Sequence, residues 1–175
     1  VDIINMIVNY YYVVGYVEIG PYYQTYSFNE IEGNRFKVSG RTSNKFSTKV
    51  MLSGFLAYGD KDNRFKWGVG SVYMVGKNPR QVLNLSYKSD IEQMGQSPNA
   101  LTEDNILTSF LRRNPNYKLT MVKDFSVSYE KEWFTGLSNT IFFSNRIMYP
   151  TEYIPFFPVG GGLQLKNITT SAVTL

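Results

Sequence analysis

The chain has 175 residues, 18 Lys and Arg against 14 Asp and Glu, and neither cysteine nor histidine. Without cysteine there is no disulfide framework and no thiolate zinc site; without histidine there is no Ser-His-Asp triad, Cys-His dyad or histidine metal site. Only carboxylate, Lys or Tyr chemistry is left, and the mild net charge of +4 gives weak support for contact with anionic groups and nothing more.

Aromatic residues make up 16% of the chain and charged residues 18%, the latter below the ~25% of soluble domains. Mean hydropathy is nonetheless negative, at −0.24, and no stretch approaches the ~20 apolar residues of a transmembrane helix. Strands with one apolar and one polar face reconcile these facts, because the faces cancel in an average.

Taken in order, residues 3–14 predict an apolar, Tyr-rich strand, and 17–28 a second one, bent or bulged at Gly20-Pro21 because proline has no ladder donor. Residues 34–42 alternate, with Phe36 and Val38 against Arg35, Lys37, Ser39 and Arg41. Residues 47–58 put Val50, Leu52, Leu56 and Tyr58 on one face, and Ser47, Lys49, Met51, Ser53, Phe55 and Ala57 on the other. A turn by composition, 59–63, leads to the clearest alternation. In 63–76, Phe65, Trp67, Val69, Ser71, Tyr73 and Val75 face one way, and Arg64, Lys66, Gly68, Gly70, Val72 and Met74 the other.

After a short turn at 77–80, Leu83, Leu85 and Tyr87 oppose Asn84, Ser86, Lys88 and Asp90. Residues 91–116 form a long interruption with one short helix, opened by Ser97-Pro98 and closed by Arg112 and Arg113 before Asn114-Pro115-Asn116. Residues 117–134 are a long strand, with Leu119, Met121, Phe125, Val127 and Tyr129 on one face and Lys123 as the exception. Its other face carries Thr120, Asp124, Ser126, Ser128 and Glu130. After the Thr135-Gly136 turn, 137–148 sets Ile141, Phe143 and Ile147 against Ser138, Thr140, Ser144 and Arg146, with Asn139, Phe142 and Asn145 blurring the pattern. Residues 149–162 are a Pro-, Gly- and aromatic-rich loop, and 166–175 open one more strand.

About eight strands result, several near the ~9–11 residues of a transmembrane strand rather than the ~5–6 of a globular one. Aromatic residues gather near strand ends, among them Tyr58, Tyr87, Trp133, Phe134 and Tyr149, as in interfacial girdles. The predicted fold is all-β: residues 1–175 as part of one antiparallel, up-and-down transmembrane β-barrel. Val50, Leu52, Leu56, Phe65, Trp67, Val69, Tyr73, Leu83, Leu85, Phe125, Val127, Ile141 and Phe143 are its expected lipid-facing residues. An opening that lacks the cationic start of a signal peptide, and an end at Leu175 without a closing aromatic, predict a piece of a longer barrel. Long loops lie on the extracellular side of such barrels. By strand parity, 59–63 shares that side with 91–116, and 77–80 lies at the other end.

Charges persist inside a barrel by pairing across strands or by facing water. Glu30, Glu32, Arg35, Lys37, Arg41, Arg64, Lys66, Lys88, Asp90, Asp124, Glu130 and Arg146 are the expected lumenal charge network, with Glu18 a further acid in reach. The network reads as structural pairing, as a pore lining, or as a dock for a loop. Glu30 and Glu32 merely flank a glycine turn, which is not the opposed carboxylate pair of a hydrolase. Gly40, Gly54, Gly68 and Gly70 fit strand bending, or the close approach of a backbone or ligand. Asn167-Ile168-Thr169 matches a glycosylation sequon but falls in a predicted strand, and Gly160-Gly161-Gly162 lacks the Lys-Ser/Thr of a phosphate loop.

Several segments together resemble one family: Glu18-Ile19-Gly20-Pro21-Tyr22, Ser27-Phe28-Asn29-Glu30-Ile31-Glu32-Gly33-Asn34-Arg35-Phe36, Gly40-Arg41-Thr42-Ser43, Tyr58-Gly59-Asp60-Lys61-Asp62, Asp90-Ile91-Glu92-Gln93-Met94-Gly95, Ser109-Phe110-Leu111-Arg112-Arg113 and Glu132-Trp133-Phe134-Thr135-Gly136. They are similar to the membrane region of a Bacteroidota outer-membrane family of unknown function, in which a carboxypeptidase-regulatory-like β-sandwich precedes a barrel distantly similar to the surface-antigen group. The resemblance implies an outer-membrane location and a barrel fold, and supplies no catalytic residue and no cofactor. Three functions stand open. The first is a non-catalytic barrel with a transport, membrane-assembly or surface-scaffold role, whose partners are outer-membrane lipid and other envelope proteins, not nucleic acid. The second is a soluble β-sheet module for a lipid or glycan, and the third a barrel-embedded hydrolase.

Overall fold

The structure, a computed structural model, describes residues 10–94, 119–151 and 154–174. The fold is all-β, and the described residues contain no α-helix. Ten strands make one antiparallel up-and-down sheet: β1 (Tyr12–Val14), β2 (Val17–Ile19), β3 (Tyr26–Asn29), β4 (Gly33–Thr42), β5 (Val50–Gly59), β6 (Phe65–Lys77), β7 (Arg80–Gln93), β8 (Leu119–Phe134), β9 (Leu137–Tyr149) and β10 (Ile168–Thr174). The spatial order is β1-β2-β4-β5-β6-β7-β8-β9-β10, with β3 also paired to β4. The sheet is not closed, as expected of part of a barrel.

From β4 to β9 the strands are 10 to 16 residues long, and each follows its neighbour in sequence. β7 runs three residues past the predicted end at Asp90 and so takes in Glu92. Bulges at Met74/Gly76 and Glu132/Phe134 add one residue to β6 and one to β8 near the same end of the sheet. The strand expected at 3–14 is described only from Tyr10, and the helix expected within 91–116 lies outside the described residues.

The single strand expected over 17–28 is two. β2 and β3 pair with the same edge of β4, at Gly40–Thr42 and Gly33–Phe36 respectively. Between them six residues, 20–25, stand opposite only three, 37–39. The ladder is kept up to both ends of this excursion, by Gly20 N to Ser39 O at 2.9 Å and Lys37 N to Thr25 O at 2.8 Å. Gly20 has φ +140°, and a Cβ there would stand 2.6 Å from the Tyr10 carbonyl oxygen, so only glycine fits the corner. Pro21 follows, and residues Tyr22–Gln24 make a 3-10 turn whose buried Gln24 accepts from Lys37 Nζ at 2.9 Å.

Cross-strand partners share a face, so the register sorts every strand residue. Val50↔Tyr73↔Leu83↔Tyr129↔Ile141 and Leu52↔Ser71↔Leu85↔Val127↔Phe143 are two rows of one face. Leu56↔Trp67 and Val69↔Tyr87↔Phe125 lie on it too. All the residues predicted to face lipid are therefore on this face; Val50 and Val127 are half-buried and the rest are exposed. Aromatic pairs knit it together, with Tyr58–Phe65 ring centroids 5.0 Å apart and Trp67–Tyr87 5.2 Å. Ser71, Ser89, Lys123 and Asn145 interrupt it.

The opposite face is where most of the burial occurs, and its buried groups are mostly polar; buried Leu119 and Ser89 lie on the apolar face by register. Among the described residues only Ala57, Val82, Leu119, Val122 and Phe156 are buried hydrophobics. Gln24, Ser27, Asn29, Glu32, Arg35, Ser43, Lys66, Ser89, Thr120 and Asp124 are buried polar or charged groups. A water-soluble sheet has the reverse balance.

Candidate functional site

The turns and loops divide between two ends. Turns 30–32 and 60–64, the end of β7, the start of β8, the end of β9 and the start of β10 lie at one end, here the loop end; turns 15–16, 78–79 and 135–136 and loop 43–49 lie at the other. Of the residues expected in the charge network, Arg35, Lys37, Arg41, Lys66, Lys88, Asp90, Asp124, Glu130 and Arg146 lie on the polar face by register. The charges crowd toward the loop end and form two clusters.

The first cluster is built on the β3–β4 hairpin. Asn29 Oδ1 accepts from the amides of Ile31 (3.1 Å) and Glu32 (2.8 Å), an Asx turn that folds Glu32 inward. Asn29 Nδ2 then donates to Glu32 Oε2 at 2.6 Å. Glu32 and Lys66 are both 0% exposed and meet at 2.8 Å. Lys66 also reaches Asp62 at 2.6 Å. Arg35 contacts Glu32 at 3.1 Å and bonds Asp90 bidentately, Nη1 to Oδ1 at 2.7 Å and Nη2 to Oδ2 at 3.0 Å. Two cations and three carboxylates thus lock β3, β4, β6 and β7 together, in the paired and hydrogen-bonded form that buried charge requires.

The second cluster crosses β7, β8 and β9. Lys88, Asp124 and Arg146 are register partners. Arg146 Nη2 lies 3.3 Å from both Asp124 Oδ2 and Glu92 Oε2, and Lys88 pairs with Glu92. Asp124 Oδ1 is buried with no hydrogen-bond partner among the described residues. A third pair, Arg41–Glu18 at 2.7 Å, joins β2 to β4.

Other expected members fall elsewhere. Glu30 lies in the β3–β4 turn, where its carbonyl oxygen accepts from Lys61 Nζ at 2.5 Å. Arg64 is exposed, in the turn before β6. Glu130 stands near the opposite end from the clusters, between Val82 and Thr140. Lys37 donates to Gln24 and stands 4.7 Å from the Phe55 ring centroid. Asp62 and Glu92 carry pairs that the sequence did not foretell.

Outside the strands, Asp60 accepts from the Asn34 side chain at 2.6 Å and the Asn34 amide at 2.8 Å. Those bonds hold its carboxyl below the ordinary range, the side-chain bond most strongly. A Cβ at Gly33 (φ +71°) would collide with Asp60, so the glycine permits this contact.

The described residues hold no group of three or more Asp and Glu arranged for a metal ion. Within the clusters the carboxylates face cations, an arrangement that cross-links strands. Compared with protein-family models, curated proteins and solved structures, the chain has no match.

Proposed function

We propose that this chain is part of an outer-membrane β-barrel with no catalytic activity, serving transport, membrane assembly or surface scaffolding. The observation that carries it is inverted burial: a broad exposed apolar face backs onto a face whose buried groups are mostly polar and charged. Exposed apolar patches on soluble monomers rarely exceed a few hundred Å², whereas a barrel wall presents such a face to hydrocarbon as a rule. Strands of 10 residues and more from β4 to β9 are long enough to span the ~9–11 residues required.

Tyr58, Phe65 and Tyr149 near the loop end, and Trp133 near the other, fit interfacial girdles, with Lys131 Nζ 3.8 Å from the Trp133 ring centroid. The long-loop rule, applied to the two longest intervals between strands, β7 to β8 and β9 to β10, puts the loop end outside the cell, with the Thr135-Gly136 and Asn78-Pro79 turns on the periplasmic side. The resemblance to the Bacteroidota family points the same way. Absence of histidine and pairing of the carboxylates with cations both argue against hydrolysis.

The test is detergent dependence. The chain is expected to fold to a β-rich state only in micelles or lipid vesicles, and to aggregate in plain buffer. A monomeric, cooperatively folded state in plain buffer would sink the membrane reading and favour a soluble sheet module.

A further inference from the structure

The excursion at 20–25 forms one wall of a cavity of about 390 Å³ on the polar face, within the ~300–1,000 Å³ of ligand sites. Glycines thin its floor: a Cβ at Gly70 would stand 2.9 Å from Ser53 Oγ, and one at Gly68 would collide with the Phe55 ring. Three cations line the cavity, Lys37, Arg41 and Lys88, and no carboxylate does among the described residues.

The acids that pair with two of these cations are the less exposed partners. Glu18 takes Arg41 through Nε; its side chain is 17% exposed against 38% for the arginine. Glu92, paired with Lys88, is 22% exposed against 39%. The side chains of Lys37, Arg41 and Lys88 border the space, while Glu18 and Glu92 lie outside its lining, so the lining itself carries positive charge and no negative charge among the described residues. Tyr11, Tyr23 and Phe55 supply apolar surface beside the cations, with Arg41 Cζ 4.0 Å from the Tyr11 ring centroid. Ser53 and Ser86 add hydroxyls.

The geometry points to a binding site for a small organic anion. Its phosphate or carboxylate is held by Lys37, Arg41 and Lys88, and its ring or apolar body lies against Tyr11, Tyr23 and Phe55. The assignment uses only residues of the polar face, the excursion and the segment before β1, so it stands whether or not the opposite face meets lipid.

The test is calorimetric titration of phenyl phosphate into the full chain, in zwitterionic micelles or in whatever medium it folds. Inorganic phosphate and phenol serve as the two half-ligands. Phenyl phosphate is expected to bind saturably, about tenfold tighter than either half, and to weaken as salt rises. Lys37→Gln should weaken binding about tenfold, and Ser53→Asp, which sets a carboxylate in the lining, at least as much. Ser53→Asp leaves the Lys37 contacts in place, so it decides the matter if Lys37→Gln does not fold. No saturable binding, or parental affinity in folded Ser53→Asp, would overturn the site. Phenol binding as tightly as phenyl phosphate would reduce it to an apolar crevice and overturn its anion specificity; equal binding of inorganic phosphate would overturn its preference for an organic anion.

Discussion

Replacing Lys66 by Met removes the cation that bridges Glu32 and Asp62 while keeping most of the aliphatic stem. Its ammonium lies 2.8 Å from Glu32 and 2.6 Å from Asp62, with the lysine side chain 0% exposed. At an effective dielectric of about 20, each contact is worth roughly 6 kcal/mol before desolvation. Desolvating the ions cancels much of this, and measured losses on breaking a buried pair are about 3–5 kcal/mol. The cluster starts with two cations and three carboxylates. Lys66→Met leaves Arg35 alone against all three, whereas Glu32→Gln leaves two cations facing two carboxylates and keeps a carbonyl acceptor. Lys66→Met should therefore cost about 3–5 kcal/mol and Glu32→Gln about 1–3 kcal/mol, and the double variant should lose less than the sum. The assay is equilibrium unfolding by guanidinium in vesicles, followed by tryptophan fluorescence. A loss under about 1 kcal/mol for Lys66→Met, or one smaller than for Glu32→Gln, would refute the claim that this cluster is dry and mutually dependent.

Three further outcomes are expected. Val69→Arg on the apolar face should destabilise the lipid-inserted state by about 2–4 kcal/mol, and Ser86→Arg on the polar face by under about 1 kcal/mol, in the same vesicle assay. Gly68→Ala should lose about 1–3 kcal/mol because the new Cβ meets the Phe55 ring, and Phe55→Ala in the same chain should recover part of that loss. Asp60, its pKa lowered by Asn34, contributes stability that is full above the unfolded carboxylate pKa and is lost as pH falls through the lowered value. The Asn34 amide resonance should therefore titrate below the ordinary Asp range, and Asn34→Ala should move Asp60 back up toward it.

How far the sequence revealed this arrangement depended on periodicity. Alternation assigned the face of Trp67, Leu85, Phe125 and Phe143 because inside a strand the side-chain period is fixed at two. It failed where strands end. Arg64 shares Lys66's parity on paper, but β6 begins at Phe65, and the turn carries Arg64 to the surface. Glu92 escapes the alternation because the pattern after Asp90 reads as loop, yet the ladder with β8 holds it in β7. Asp62 looked like a turn former, and only the fold brings it under Lys66. Pro21 announced an irregularity, but not that the chain would resume beside the same strand after folding over the polar face. Phe142 and Asn145 blurred the alternation in the sequence, and they lie on the unexpected faces: Phe142 opposite Ser128, Asn145 opposite Phe125.

The claim that one face of this sheet meets lipid is tested most directly by single-cysteine scanning along β7, for which the chain's lack of native cysteine leaves a clean background. Cysteines at 83, 85 and 87, and at 84, 86 and 88, would carry nitroxide labels in the chain reconstituted into vesicles. Collisions with membrane-dissolved oxygen should dominate at 83, 85 and 87, and collisions with a water-soluble nickel chelate at 84, 86 and 88. Equal exposure to the chelate at both sets, with no period of two, would contradict the account.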